Sequence, residues 1–249
     1  MSLGDPLPAT IRDILRLVDE LDAGQKQEVF DHLKASCINH PLEREWNAPA
    51  ELILDAIAQS TDLTQRGVKG VIADRAFHRM IVPELKRAGW TSEPIIGDLA
   101  YDADLTRDGV RVTVQVKMQR RVRGEPFQRS AGGTPHWVVE VQKTRSGQDA
   151  EGASTRPYAF GNFDILAVNL YASTCDWSHF VYTVASWLVP RADQPNLIAV
   201  LQPVSQGPSV CWTRDFEEVV EWFRSGQKRQ MPTFDSSRRS AEPASLSLL

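Results

Sequence analysis

The chain has 249 residues, of which 42% are hydrophobic and 24% are charged, and these values predict a soluble globular protein with one large domain or one domain and a small appendage. The net charge of −4 argues against a protein that coats nucleic acid regardless of sequence, and no apolar run approaches the roughly 18 residues of a membrane-spanning helix. The N-terminus lacks the order of a signal peptide, and the three cysteines are too scattered for a disulfide framework or a zinc site, so we expect a cytoplasmic protein with no membrane partner.

Residues 1–62 predict a helical segment. Apolar residues recur at helical spacing over 9–36, and a break in the middle of this range predicts a helical hairpin. Asp22 and Gln25 are spaced as a capping box at the start of the second helix. A third helix is predicted over 49–59. The segment contains no residue pattern typical of catalysis, so we expect it to serve in packing or self-association.

Residues 63–226 predict the main domain, in which a helical start is followed by a strand-rich centre. Pro83 is expected to kink or interrupt the first helix, which ends at Gly89, unless one helix ends at Val82 and the next begins at Pro83. Asp215 is expected to cap the last helix. From residue 227 to residue 249 the Ser-, Arg- and Pro-rich composition predicts a disordered tail. The predicted elements are helices over 64–88 and 215–223 and strands over 95–105, 110–118, 137–142, 163–170, 180–188 and 197–200.

The residues that can carry chemistry lie on the hairpin formed by the first two of these strands. The second strand alternates apolar and polar residues, so Gln115 and Lys117 share one face. The Asp108-Gly109 dipeptide predicts a tight turn that brings Asp104 back toward this face. A carboxylate, an amide oxygen and an ammonium group together can hold a hard cation such as Mg²⁺ and a phosphate. The alternative interpretation is a surface hairpin with ordinary polar residues.

The order of these residues resembles the PD-(D/E)XK nuclease superfamily, which includes many type II restriction endonucleases. Its members have an acidic residue on a helix, an aspartate on the next strand and the (D/E)XK motif on the strand after that. Here Asp74 stands in the place of the helix acid, Ala103-Asp104 in the place of Pro-Asp, and Gln115-Val116-Lys117 forms the QXK variant found in some branches. The resemblance covers residues 68–117 and extends more weakly to the predicted strand at 163–168.

The resemblance implies an α/β or α+β fold, with a central mixed β-sheet flanked by helices in a restriction-endonuclease-like core and the helical segment at its N-terminus. The family usually places a helix between the third motif and the following core strand. Residues 118–162 instead predict a strand and loops, which we interpret as an insertion for DNA recognition.

The resemblance also implies roles in phosphodiester hydrolysis. Asp104, the side-chain oxygen of Gln115 and the main-chain oxygen of Val116 are expected to hold Mg²⁺, with Asp102 as the alternative ligand. Lys117 is expected to stabilise the developing negative charge or to orient the attacking water. Asp74 completes the expected catalytic set.

Basic residues follow the predicted catalytic strand, where they can bridge phosphates or contact guanine in the major groove. The loop at 155–161 is either a further DNA contact or a segment packed on the sheet. Glu140 is either the acid of an alternative third motif, Glu140 to Lys143, or part of a segment that lies beside the site or on the DNA-binding face. The residues expected to bind DNA are Arg120, Arg121, Arg123, Arg129, Lys143, Arg145, Arg156 and Tyr158.

The leading hypothesis is a Mg²⁺-dependent, site-specific endonuclease of double-stranded DNA, of the type II restriction class of prokaryotes. We expect a homodimer, because two subunits related by a two-fold axis can cut both strands of a symmetric site. One alternative is a repair or junction-resolving nuclease on the same core. The other is a nuclease-fold protein that binds DNA or a partner without cutting, since Gln115 replaces an acidic residue.

Overall fold

The chain divides into two compact units, Met1–Gln65 and Arg66–Leu249. The second unit contains a five-stranded mixed sheet flanked by helices, which confirms the predicted fold class. No helix in the described part of the chain is both long and apolar enough to cross a membrane. The computed structural model describes residues 8–36, 40–97, 99–143, 157–207 and 209–235.

The first unit consists of helices. The predicted capping box is confirmed, because Asp22 Oδ1 accepts a hydrogen bond from Gln25 N–H at 2.9 Å and the Gln25 side chain accepts one from Asp22 N–H at 3.1 Å. A short helix that was not predicted begins at Pro41, where the His40 ring accepts a hydrogen bond from Leu42 N–H at 3.1 Å and caps the helix. The helices are α1 (Ala9–Asp19), α2 (Ala23–Ser36), α3 (Pro41–Trp46) and α4 (Ala50–Ala58).

The predicted helix over 64–88 consists of α5 (Asp62–Ala76), a π-helical turn (Phe77–Ile81) and α6 (Val82–Arg87). Pro83 lies in the first turn of α6 and follows the wide π-helical turn, which explains the interruption predicted there. Phe77 is fully buried, so this turn faces the core.

The strands of the described residues form three sheets. A five-stranded sheet has the order β1-β2-β3-β8-β9, a three-stranded sheet has the order β10-β7-β6, and β4 pairs with β5. The strands are β1 (Thr91–Glu93), β2 (Ala103–Arg107), β3 (Val110–Met118), β4 (Arg121–Val122), β5 (Glu125–Pro126), β6 (Gln128–Ala131), β7 (Thr134–Glu140), β8 (Ile165–Asn169), β9 (Phe180–Val184) and β10 (Leu201–Ser205).

The centre of the five-stranded sheet is the predicted hairpin of β2 and β3, although its first strand begins at Ala103 and not at residue 95 as predicted. Asp108 and Gly109 have φ values of 52° and 76°, so both residues of the turn are left-handed, as the tightest hairpin turns require. Strand β8 runs parallel to β3. Asp164 fixes the start of β8 beside β3, because its Oδ2 accepts hydrogen bonds from the main chain and the hydroxyl of Thr113, both at 2.8 Å.

Two helical elements pack on one face of β9. Phe180 and Tyr182 are two residues apart and point to the same side. The ring centroids of Phe180 and Phe77 are 5.5 Å apart, and those of Tyr182 and Phe216 are 5.4 Å apart. Phe216 opens α8 (Phe216–Arg224), where Asp215 accepts a hydrogen bond from Glu217 N–H at 2.8 Å and caps the helix as predicted. A one-turn helix, α7 (Tyr171–Thr174), lies between β8 and β9.

The connection from β3 to β8 contains strands β4 to β7. Arg120 N–H donates to Val138 O at 2.8 Å, so β7 lies beside the end of β3. The strand predicted over 197–200 is wrong, because Ile198 bonds to the main chain of Tyr158 instead of to a neighbouring strand. The strand begins only at Leu201, where β7 becomes its partner.

Residues 227–235, which composition assigns to the tail, pack against other residues of the second unit. Met231 is 2% exposed, and its N–H donates to Trp187 O at 3.0 Å. The Arg229 guanidinium lies 4.9 and 4.7 Å from the ring centroids of Trp187 and Trp222. This start of the tail is therefore held by Trp187, which is distant in sequence, and by the nearby Trp222. The remainder of the predicted tail lies outside the described residues.

Candidate active site

Three segments of the second unit meet around the carboxyl group of Asp102. Helix α5 contributes Asp74, the segment before β2 contributes Asp102, and β3 contributes Gln115 and Lys117. Lys117 interacts electrostatically with both carboxylates, and the two carboxylates interact with each other. The acid on a helix, an aspartate near β2 and the QXK segment of β3 therefore form one cluster.

Strand β3 holds the Asp102 carboxylate with two donors. Oδ2 accepts hydrogen bonds from Val116 N–H at 2.7 Å and from Gln115 Nε2. The main chain of Asp102 is fixed as well, because its N–H donates to Val114 O at 2.8 Å. Asp102 consequently lies opposite the QXK segment, one pairing step before the first residue of β2.

Asp104 has a different partner. It pairs with Thr113 in the hairpin register, and its two carboxylate oxygens accept hydrogen bonds from Arg111 Nε at 2.9 Å and from Arg111 Nη2 at 2.6 Å. A bidentate guanidinium therefore occupies the oxygens of Asp104. The structure brings Asp102 into contact with Gln115 and engages Asp104 with Arg111, whereas the sequence favoured Asp104 as the partner of the QXK segment.

The pKa values of Asp102 and Lys117 are displaced in opposite directions. Burial raises the pKa of the Asp102 carboxyl above its usual value, while the Lys117 ammonium and the Val116 N–H act against this rise. Burial lowers the pKa of Lys117, while the carboxylates of Asp102, Asp74 and Glu140 act against this fall. Opposed shifts in one cluster are typical of sites that transfer protons or stabilise charge.

The Tyr158 hydroxyl connects Gln115 to Lys117. It donates to Gln115 Oε1 at 3.2 Å and accepts from Lys117 Nζ at 3.4 Å. Its ring is 4% exposed and packs edge-on against Phe163, with 5.4 Å between the centroids. Tyr158, for which the sequence left a DNA contact or packing on the sheet open, is thus a buried neighbour of the site.

The oxygen atoms of the cluster suit a divalent cation. The described residues contain no group of three or more His, Cys, Asp or Glu side chains placed to hold a metal, so a cation here needs amide and main-chain oxygens. Gln115 Nε2 contacts both Asp102 Oδ2 and, at 3.2 Å, Val116 O. A carboxylate oxygen and a carbonyl oxygen therefore flank one point, and both are ligands that Mg²⁺ prefers.

The predicted DNA-binding residues of the described chain fall into two groups, one next to the end of β3 and Tyr158 and the other on the segment from β4 to β6. Arg120 follows β3 and stacks on Phe127, with 5.3 Å from the guanidinium to the ring centroid, and the Lys143 ammonium lies 5.9 Å from the Tyr158 centroid. Arg121 and Arg123 are on the β4–β5 hairpin, where Arg121 Nε donates to Gly124 O at 2.8 Å, and Arg129 on β6 stacks on Phe234 at 4.4 Å. Arg145 and Arg156 lie outside the described residues.

Two further residues lie near the site. The sequence indicates no role for His78 and only alternative roles for Glu140. His78 Nε2 lies 2.8 Å from the main-chain O of Asp102 and 3.5 Å from Asp74 Oδ1, so it links the helix acid to the main chain of Asp102. The spacing of Asp74 and His78, one helical turn apart, is the signal that could have found it. Glu140, for which the sequence left several positions open, is an electrostatic neighbour of Lys117.

The comparisons with known proteins give little further guidance. No protein-family model matches the chain, and no curated protein sequence matches it. Among solved structures, the chain is similar to a bacterial homing endonuclease, I-Ssp6803I, with 18% identity and a TM-score of 0.38 over 64% of this chain and 94% of that chain. A TM-score this low does not establish a common fold.

Proposed function

We propose that this protein is a Mg²⁺-dependent endonuclease that hydrolyses phosphodiester bonds in double-stranded DNA. The observation that carries the proposal is the cluster of Asp74, Asp102, Gln115 and Lys117, which unites a helix acid, an aspartate directly before β2 and a QXK segment. These residue types, in this order along the chain, are those of the superfamily that the sequence resembles.

The residues of the cluster have distinct proposed roles. Asp102, Gln115 Oε1 and Val116 O would hold Mg²⁺, and we prefer Asp102 to Asp104 because Arg111 engages both oxygens of the latter. A bound Mg²⁺ supplies Lewis acidity toward the phosphate and lowers the pKa of a coordinated water. Lys117, held beside Asp102 and Tyr158, stabilises negative charge that develops on the phosphate.

The arginine residues after β3 are proposed to bind DNA. Arg121 and Arg123 lie on the two-stranded β4–β5 hairpin, and Arg123 is exposed in its turn. A two-stranded ribbon fits the major groove, where arginine can contact guanine O6 and N7. This hairpin lies within the 118–162 segment that we propose to be a DNA-recognition insertion.

The finer features of the proposal are site specificity and a dimer. Selective cleavage, as in the type II restriction class of the prokaryotic cytoplasm, agrees with a net charge of −4 combined with a local cluster of arginines. A homodimer would provide two centres, one for each strand of a symmetric site.

A second candidate function is DNA binding without cleavage. The observation that favours it is the Gln115 amide, whose Nε2 lies between Asp102 Oδ2 and Val116 O, where a cation would bind. An amide that replaces an acid can satisfy both oxygens without any metal. The two candidate functions therefore differ in whether the protein cleaves the DNA that it binds.

The experiment is incubation of the purified protein with Mg²⁺ and DNA of varied sequence. Discrete fragments are expected from a site-specific enzyme, and sequencing of the fragment ends gives the recognised site. A smear or cleavage only at branched structures would indicate a repair or junction-resolving nuclease instead. Intact DNA that is nevertheless bound would establish the second candidate.

A matched pair of lysine variants tests the assignment of the site. Lys117→Ala is expected to lower the cleavage rate by at least about a hundredfold, because it removes a charge that stabilises the transition state. Lys86→Ala removes an exposed lysine of α6 and is expected to leave the rate unchanged. Full activity of the Lys117 variant would refute the proposed centre.

A further inference from the structure

The metal-free orientation of the Gln115 amide follows from its neighbours. Nε2 contacts two oxygen atoms, Asp102 Oδ2 and Val116 O, while Oε1 faces the Tyr158 hydroxyl. An amide N–H is attracted by a carboxylate and a carbonyl, whereas an amide oxygen in the same place would be repelled by both. Without a cation, the nitrogen end therefore points at Asp102.

A divalent cation requires the other end of the amide. Metal ions of the Mg²⁺ type bind oxygen, and the only side-chain oxygen of Gln115 is Oε1. For Asp102 and Gln115 to share a cation, the amide has to rotate so that Oε1 replaces Nε2. Cation binding and amide orientation are therefore coupled.

Tyr158 is placed to resist that rotation. Its hydroxyl donates to Oε1 at 3.2 Å, so the rotation breaks this hydrogen bond. The oxygen of the hydroxyl already accepts a hydrogen bond from Lys117 Nζ at 3.4 Å, which directs its proton toward Gln115. The ring is buried against Phe163 and is not free to follow the amide.

We propose that Tyr158 is a positioning residue, whose hydroxyl holds the Gln115 amide with Nε2 toward Asp102 and thereby weakens the affinity of the site for a divalent cation. The inference rests on the divalent cation of the proposed function. Tyr158 is not part of any of the three superfamily motifs, yet it would set the affinity of the site for its cation.

The test is Mn²⁺ binding, measured from the electron paramagnetic resonance signal of free Mn²⁺ in the absence of DNA. Tyr158→Phe removes the hydroxyl and keeps the ring, so Mn²⁺ affinity is expected to rise by about three- to tenfold, the equivalent of one hydrogen bond. Tyr182→Phe is the matched control, because Tyr182 is equally buried but packs on Phe216 of α8, and it should leave the affinity unchanged.

A double-mutant cycle separates positioning from packing. Gln115→Glu presents an oxygen in either orientation, so the hydroxyl has no amide to hold. In that background Tyr158→Phe is expected to leave Mn²⁺ affinity unchanged. An equal rise in both backgrounds would show that the hydroxyl acts through packing, and would overturn the proposal.

The remaining outcomes test the role of Tyr158 separately from the proposed endonuclease activity. An unchanged or lower affinity in the Tyr158 single variant overturns the inference, and so does the absence of Mn²⁺ binding from every variant, which refutes the metal site as well. If the cycle behaves as expected but no variant cleaves DNA, the positioning role of Tyr158 stands and the endonuclease activity fails.

Discussion

The Asp102 carboxylate is unfavourable to the stability of the fold, because burial raises its pKa above the unfolded value of 3.8. This cost is fully present above the raised folded-state pKa and disappears as pH falls below the unfolded value, where the group is protonated in both states. A site acid that destabilises the protein is typical of residues retained for function.

We therefore expect Asp102→Asn to raise the free energy of unfolding of the metal-free protein by about 1 kcal/mol at neutral pH. The difference from the wild type should narrow as the pH falls through the raised pKa of the folded-state carboxyl, because the wild-type group then takes up its proton, and it should vanish below the unfolded value of 3.8. Thermal unfolding measured across this pH range gives both quantities.

The control for this prediction is the same substitution two residues later. Asp104→Asn breaks the bidentate contact with Arg111 and is expected to lower the melting temperature at neutral pH. Destabilisation by both variants would contradict the proposed difference between the two aspartates.

At the scale of elements, a cluster around Glu217 joins α8 to the hairpin. Its carboxylate accepts hydrogen bonds from Trp90 Nε1 at 2.8 Å and from Arg107 Nη1 at 2.6 Å. The Arg107 guanidinium also lies 4.7 Å from the Trp90 centroid. Helix α8 is thus attached to β2, the first strand of the hairpin.

Glu217→Gln is expected to lower the free energy of unfolding by about 1 kcal/mol, because the contact is bidentate but partly exposed. In a domain of this size the melting temperature should fall by about 2–4 °C. Glu221→Gln on the same helix is the matched control, since its contact with Arg224 is 3.6 Å long and exposed, and no shift is expected there. Equal shifts would argue against the cluster around Glu217.

Local signals predicted the start of α2 and the turn of the hairpin, whereas strand pairing determines which aspartate joins the site. The capping box at Asp22 and the turn at Asp108 depend on neighbouring residues, and both are confirmed. The choice between Asp102 and Asp104 depends instead on the hydrogen bond from Asp102 N–H to Val114 O, which alternation of apolar residues does not specify. Tyr158 reaches Gln115 across 43 positions of sequence, and no periodicity links such residues.

At the scale of the whole molecule, the buried hydrophobic side chains are unevenly distributed. Within the described residues, those of the core begin at Ala73 and end at Met231. Helices α1, α3 and α4 have no buried residue, and several of their large apolar side chains, such as Ile14 and Leu54, are at least half exposed. The stability of the second unit is therefore expected to come from its own residues.

Deletions from the two ends of the chain should consequently differ. Among the described residues, removal of 1–58 takes away none of the buried hydrophobic side chains, and it is expected to change the melting temperature of the second unit by no more than about 2 °C. Removal of residues 227–249 takes away buried Met231 and the Gln227 carbonyl that accepts from Trp187 Nε1 at 2.8 Å. Loss of one buried methionine costs about 2–3 kcal/mol, so a fall of about 5–10 °C is expected.

Differential scanning calorimetry of the two truncated chains measures this contrast. A third chain that ends at residue 235 retains Met231 and Arg229 and should unfold at the temperature of the full-length protein, because it keeps every described contact of the tail. If the chain that ends at residue 226 were as stable as this one, the contacts of Trp187 with the tail would contribute nothing to folding. If the chain without residues 1–58 failed to fold, the second unit would depend on the helical segment, in spite of containing the whole of the described core.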